Sequence, residues 1–273
     1  MAKKTPKAEW DKVAEWWNTE AGDSGVWHQR HDIDPVVFDV LGSVKNKIIL
    51  EIGCGNGYLS RLLAERGAKI TAVDLSKKFI RIAKEKESAK PLGIKYFVRD
   101  AANLYGIKSR QFDVVISSMM LMDVADAQEV IKEAGRVVKK GGRIVFSITH
   151  PVFIEGGQKW VRIRIGRKDY SARAVTKYLI PHAKKVVLWV SGAKATQYYR
   201  PFSEYFKYLK KAGFLVADLR EIATRKKIKK ATAADGDVRF RGSRYRTLAE
   251  KRMKKMARKE IPIFLVVEAI KII

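Results

Sequence analysis

The sequence predicts an α/β fold built on a doubly wound, mostly parallel sheet, and three observations predict it. Short apolar runs at 48–50, 70–73, 94–99, 112–117 and 143–148 alternate with stretches of helical spacing, the pattern of a parallel sheet with crossover helices. The first run passes directly through alternating glycines, Gly53, Gly55 and Gly57, into a helix. Polar residues stand where four runs stop: Glu51, Asp74, Asp100 and Ser118. Ligands of such sheets collect at the carboxyl ends of the strands.

The elements follow in order. Residues 8–20 place Trp10, Val13, Ala14 and Trp17 at helical spacing, so a helix is expected there. Trp16 and Trp17 are adjacent, and they are candidates for packing on the main domain or covering a ligand. Gly22 and Gly25 break the helix, and two of the four histidines, His28 and His31, follow. Asp34 with Pro35 reads as the cap and first position of a short helix over 36–41. After the glycine turn, Leu59, Leu62 and Leu63 mark a helix that Gly67 stops. The second strand closes on Asp74, and Ser76 is placed to cap the next helix, with Phe79, Ile80 and Ala83 inward. Asp100 and Ala101 follow the third strand, and Ser118 and Met119 follow the fourth. Asp126 and Glu129 open a helix of clear 3.6-residue period, expected to end at Gly141 and Gly142. His150 and Pro151 terminate the fifth strand.

Beyond Pro151 the period changes to two. Val161, Ile163 and Ile165 share one face of 158–168, and Arg162 and Arg164 the other. With strand-like runs at 184–192 and 196–201, this reads as a small antiparallel layer over the ligand rim. Ser203 is placed to cap a helix stopped by Gly213. Strands are expected at 214–219 and 261–270, the last pairing antiparallel at the sheet edge. Between them, 223–260 holds 15 Lys+Arg. Its second half reads as a basic helix with Leu248, Met253, Met256 and Ala257 on its apolar face. The expected division is a helical cap (1–44), a ligand-binding core (45–150), an inserted layer (151–200) and the C-terminal part of the core (201–273).

The 273 residues are 47% hydrophobic, which fits a packed core rather than disorder. Cys54 is the only cysteine, so no intramolecular disulfide forms. The first residues lack an apolar leader, and the apolar stretch 261–273 is too short for a span, so a cytoplasmic location is expected. The net charge is +27. Residues 1–150 carry 25 Lys+Arg against 19 Asp+Glu, and residues 151–273 carry 31 against 10. A basic half of that kind suits an anionic partner, or serves solubility alone.

The glycine turn departs from the two common phosphate fingerprints. The third glycine of G-x-G-x-x-G is Tyr58 here, and no G-x-x-x-x-G-K-S/T is present. The pattern E-x-G-x-G-x-G after a strand instead resembles motif I of the class I S-adenosylmethionine (SAM) dependent methyltransferases. The resemblance, to the methyltransferase type 11 group, runs from WHQRHDIDP through FSITHP. It resumes at YYRPFSEYFKYLKKAGF and in IPIFLVVEAI. It implies a Rossmann-like seven-stranded sheet with its last strand antiparallel, and SAM as cofactor. By resemblance Glu51, Gly53, Cys54, Gly55 and Gly57 line the methionine part, Asp74 holds the ribose hydroxyls and Leu75 lies beside the adenine. Asp100 takes the adenine amino group with Ala101 next to it, and Ser118 and Met119 sit near the sulfonium. The basic insertion at 223–260 departs from the family pattern.

Methyl transfer from a sulfonium expels a neutral thioether, so alignment is the main work. A base helps where the acceptor is a hydroxyl or an acidic carbon. The candidates are His150, at a strand end and the first choice, then His28 and His31; Arg30 is a candidate partner for the SAM carboxylate or an acidic substrate. Covalent cytosine methylation is set aside, because Cys54 lies in the cofactor turn. The N/D-P-P-Y/F box of amino-group methyltransferases is replaced by Ser117-Ser118-Met119-Met120. No C-x-x-C or H-E-x-x-H supports a metal. The leading reading is a small-molecule or lipid-like acceptor, with aromatic residues of the insertion (Trp160, Tyr170, Tyr178, Trp189, Tyr198, Tyr199) around it. The alternatives are an RNA methyltransferase using basic residues 151–260, and a SAM-binding module without catalysis.

Overall fold

A computed structural model describes residues 6–153, 159–187, 194–224 and 261–273. Seven strands form one sheet: β1 (Ile48–Ile52), β2 (Lys69–Asp74), β3 (Lys95–Val98), β4 (Phe112–Ser118), β5 (Val138–Thr149), β10 (Phe214–Ile222) and β11 (Phe264–Lys271). Their order is β10-β11-β5-β4-β1-β2-β3. β3, β2, β1, β4 and β5 run parallel, and β11 runs antiparallel to both neighbours. The helices are α1 (Pro6–Ala21), α2 (Asp34–Leu41), α3 (Tyr58–Ala64), α4 (Lys77–Ala89), α5 (Ala127–Val137) and α6 (Phe202–Lys211). Two hairpins stand apart: β6 (Lys159–Ile165) with β7 (Lys168–Ala174), and β8 (His182–Val187) with β9 (Lys194–Tyr199).

The sheet buries both faces. Leu50, Val115, Ile144 and Leu265 pack toward α5 and α6, and Ile49, Val114, Val145 and Val266 toward α2 and α3. That is why the strands read as continuous apolar runs rather than alternations. From β1 the chain steps outward through β2 to β3, then crosses back to β4 on the other side of β1, so the order reverses between β1 and β4. The crevice above that pair is the topological switch point.

Several boundaries differ from the sequence reading. The final strand is not at the edge: β11 lies between β5 and β10, and its Leu265, Val266, Val267 and Ala269 are buried. A strand apolar on both faces belongs in the interior, and β10, half polar, takes the edge. α5 ends at Val137, before Gly141 and Gly142; Val138 already pairs with Phe112, and the ladder resumes at Arg143 after the glycines. Asp34 is a helical residue, preceded by a π-helical turn over Gln29–Ile33, and its carboxyl accepts from the Tyr58 hydroxyl at 3.2 Å instead of capping α2. Pro201, not Ser203, occupies the α6 cap position. Ser76 and Asp126 do cap α4 and α5, accepting from the Phe79 and Glu129 amides. The strand read over 158–168 is β6, which stops at Ile165; Gly166 and Arg167 turn the chain back into β7. The expected basic helix and the 188–192 end of the second insertion strand lie outside the described residues.

Candidate active site

β1 runs out at Ile52, and the next two amides, of Gly53 and Cys54, both donate to the Val73 carbonyl of β2 at 2.8 and 3.1 Å. This folds the glycine turn over the sheet end. Gly53 has φ +71°, and a Cβ there would run into Met120. Gly55 differs: at φ +54°, a Cβ would meet nothing nearer than the Phe79 ring at 4.0 Å. The missing side chain at Gly55 therefore leaves open room above backbone, the cradle such a turn offers a ligand.

Asp74 braces this turn. One carboxylate oxygen accepts from the Gly55 amide at 2.9 Å and the other from the Ser76 amide at 2.8 Å. Burial pushes its pKa up to about 6, against those two hydrogen bonds. Glu51 is deeper, with the Ser60 hydroxyl donating to it. Burial, reinforced by the nearby charges of Asp34 and Asp74, raises its pKa to about 8 although the Ser60 hydrogen bond opposes. On the neighbouring tips, Asp100 accepts from the Ala102 amide at 2.9 Å, and the Ser118 hydroxyl meets that of Ser147 at 3.3 Å. Met119, next along, holds φ +56°, unusual for a residue with a side chain. Its amide is fixed on the Ser147 carbonyl at 2.9 Å. Strain of this kind gathers at functional rims.

These tips enclose a cavity of about 450 Å³. Glu51, Gly53, Cys54, Gly55, Asp74, Leu75, Asp100, Ala101, Ser118 and Met119 all line it, as does His28. Gly57, Arg30, His31 and His150 do not. Gly57 sits at the α3 cap position with φ +75°. Arg30 is exposed and donates to the Ser24 hydroxyl at 3.3 Å. His31 is exposed and lies against the Trp27 ring. His150, the first choice from sequence, serves its own loop. Its Nδ1 accepts from the Val152 amide at 3.2 Å, so Nε2 carries the proton donated to Glu221 at 2.8 Å. Burial lowers its pKa. A strand end alone does not say toward which side of the sheet a side chain turns.

His28 is placed differently. It lines the cavity, and its Nδ1 lies 2.7 Å from the buried Asp32 carboxylate, which also accepts from the Thr224 hydroxyl at 2.9 Å. A carboxylate only accepts, so Nδ1 carries the proton and Nε2 is left as a base. The π-helical turn brings residues 28 and 32 together; the sequence reading singled out His28 but neither Asp32 nor that turn.

The aromatic wall comes from the N-terminus. Trp10, Trp16 and Trp17 of α1, with Trp27, line the cavity, whereas Tyr170, Tyr178, Tyr198 and Tyr199 do not; Trp189 lies outside the described residues. The insertion contributes Gln197 from β9. Asp123, Arg99 and Glu20 were not singled out from sequence; they follow strands or sit on a helix without motif spacing. Among the described residues the lining holds five carboxylates, Glu20, Glu51, Asp74, Asp100 and Asp123, against one basic side chain besides His28, Arg99. Three of them, Glu51, Asp74 and Asp123, have pKa values raised by burial. A ligand that brings positive charge and hydrogen-bond donors fits this set, because it offsets the cost of ionising them.

Comparison with known proteins places the chain. A family model described as "Methyltransferase domain" matches residues 50–146. A ubiquinone biosynthesis O-methyltransferase of Bordetella avium is 30% identical over 207 residues, covering 70% of this chain and 84% of that protein. One from Coxiella burnetii is 34% identical over 140 residues, covering 50% of this chain; the chain spans 58% of its length. Among solved structures, an S-adenosylmethionine dependent methyltransferase from Mesorhizobium loti superposes with a TM-score of 0.65 at 23% identity, covering 91% of this chain and all of that one. A second, from Listeria monocytogenes, gives 0.63 at 23% identity, over 87% and 96% of the two chains.

Proposed function

Because the chain belongs to the class I SAM-dependent methyltransferases, we propose that it moves the SAM methyl group to a hydroxyl of a small, largely apolar acceptor. The observation that carries this is the cavity itself. One wall is the glycine turn with Glu51, Asp74 and Asp100; the other is Trp10, Trp16, Trp17 and Trp27 with Met119, Met120 and Met122. The first suits a cationic, hydroxyl-bearing cofactor and the second a flat apolar acceptor.

SAM supplies an activated methyl group on a positively charged sulfur. Asp74 would hold the ribose hydroxyls, its two oxygens kept in place by the Gly55 and Ser76 amides. Asp100 and Leu75 would hold the adenine. Glu51 would offset the cofactor's positive charge, and the room above Gly55 would admit it. The tryptophans and α1 exclude water and align the acceptor, which is where most of the rate comes from. His28 Nε2 takes the acceptor's hydroxyl proton, and Asp32 steadies the resulting imidazolium.

Calorimetry with SAM tests the cofactor half. Asp74→Ala should weaken binding on the order of 100-fold, the loss of two charge-assisted hydrogen bonds. Unchanged affinity refutes the placement. Radiolabelled methyl transfer into fractionated extract tests the acceptor half; label confined to RNA would refute it.

A further inference from the structure

Asp123 has no task in the account so far. It lies in the 3-10 turn Leu121–Asp123 that follows β4, it lines the cavity, and it is 6% exposed. Gln197 of β9, which also lines the cavity, lies close enough to its carboxyl to oppose the rise of its pKa. The other oxygen, Oδ1, is buried and has no partner. Among the described residues, the other buried side-chain oxygens without partners belong to Asp34, Glu87, Tyr96 and Ser117, none of which lines the cavity. A buried polar atom left unsatisfied costs about 1–3 kcal/mol, so a carboxyl with an unpartnered oxygen, on a residue that lines a ligand cavity, is expected to find its partner in the ligand.

The surroundings are built to hold this carboxyl in place. Arg200, at the end of β9, is buried and donates to the Val124 and Ala125 carbonyls, both at 2.6 Å, and to Leu121 at 3.4 Å. This ties the strand that carries Gln197 to the turn that carries Asp123. The Asp123 amide closes the turn on the Met120 carbonyl at 2.8 Å. Met120, Met122 and Val124 surround it on the cavity wall. Burial raises the Asp123 pKa to about 8, with Gln197 opposing. At neutral pH the group is a neutral acid, able both to donate to and to accept from a ligand oxygen.

Resting on the methyltransferase reading above, we propose that Asp123, oriented by Gln197, is the residue that recognises the acceptor, hydrogen-bonding a hydroxyl and selecting uncharged hydroxylated acceptors over anionic ones. The apolar wall accepts the body of such a molecule, and the carboxyl reads its single polar edge. An anionic acceptor meets a group that becomes a like charge on ionising, and no described lysine lines the cavity to compensate.

The test uses the full chain saturated with S-adenosylhomocysteine and two probes that differ by one carboxylate: 4-methylphenol and 4-hydroxyphenylacetate, whose phenol hydroxyls, like that of tyrosine at about 10, stay largely protonated at both pH values used. Binding is measured by calorimetry at about pH 6 and about pH 9, on either side of the titration of a carboxyl with so raised a pKa. For the wild type, 4-methylphenol binds more tightly, and its advantage widens about tenfold between the two pH values, as expected for one added charge repulsion. Glu51 lines the same cavity and titrates in this window too, so Asp123→Asn, which keeps shape but cannot ionise, narrows that widening without abolishing it. The variant also weakens 4-methylphenol about tenfold, while S-adenosylhomocysteine affinity stays within about twofold. A merely structural role would not move the pH dependence of that ratio. Equal binding of both probes, absence of binding by 4-methylphenol, or a pH dependence of the ratio unchanged in Asp123→Asn overturns the proposal. Should S-adenosylhomocysteine itself fail to bind the wild type, the methyltransferase reading falls first and this one with it.

Discussion

Glu51→Gln should stabilise the ligand-free protein and weaken cofactor binding at once. The Glu51 pKa rises from 4.5 to about 8 in the fold, chiefly through burial. Where the folded pKa is raised, stability is fully present below the unfolded value and is lost as pH climbs toward the folded one. The window here is from about pH 4.5 to about pH 8. Each pH unit in it is worth about 1.4 kcal/mol, so at neutral pH the wild type gives up on the order of 3 kcal/mol that glutamine does not. Glutamine can still accept from the Ser60 hydroxyl, and removing the charge also relieves Asp34 and Asp74, which oppose its ionisation. Urea unfolding of both proteins at several pH values measures this. The midpoints should coincide near the acid end and diverge steadily as pH rises, the variant becoming the more stable. Parallel curves would show that Glu51 does not take up a proton on folding, and the account of the cavity as a site waiting for positive charge would fail. Calorimetry with SAM should show the converse, about tenfold or more lost affinity, in the direction expected when a site sacrifices stability for function.

Two further outcomes follow from geometry. Arg200→Ala strands the Leu121, Val124 and Ala125 carbonyls; on the order of 3 kcal/mol should be lost, with hydrogen exchange rising in β8 and β9 well before β1, and a uniform rise would contradict the tie. Asp32→Asn can turn its amide N–H toward His28 and impose the tautomer with Nε2 protonated; kcat should fall by at least about tenfold with SAM affinity unchanged, and an unaltered kcat would remove His28 as the base.

The fold was legible because its strands are buried on both faces and its helices carry their own caps. Ser76 and Asp126 announce helix starts locally, and the structure uses both. The residues at four strand ends were legible for a related reason: parallel strands all present their carboxyl ends to one rim, so finding the strands finds the rim. What escaped reading depends on contacts distant in sequence. Asp34 has the residue type and position of a cap, but its carboxyl is drawn to Tyr58, 24 residues away. His150 stands at a strand end, yet Glu221 and Val152 take its ring out of the cavity. The tryptophan wall shows only as a stripe on α1, and its role is decided by contacts across the chain. Asn18 accepts from Asn56 at 3.0 Å, Asp11 from Ser76 at 2.5 Å, and Glu9 from the Thr196 amide at 2.8 Å. These three bonds join α1 to the glycine turn, the loop after β2 and the β9 hairpin.

The charge of the chain illustrates the same limit more sharply, because composition has no address. A net +27 invites an anionic substrate. Yet among the described residues the cavity is lined by five carboxylates and one arginine, and two of the carboxylates, Glu51 and Asp123, are held close to neutral by burial. A pocket that suppresses its own negative charge, and brings Arg99 as its one arginine, is suited to a cationic cofactor and an uncharged acceptor. Among the described residues, the lysines and the arginines other than Arg99 lie off the cavity lining, where 0.15 M salt confines their reach to about 8 Å. On the reading proposed above, acceptor choice is set inside, by Asp123 and the tryptophans, and the two can be altered independently: neutralising lysines away from the cavity should change solubility and salt response while the acceptor preference stays the same.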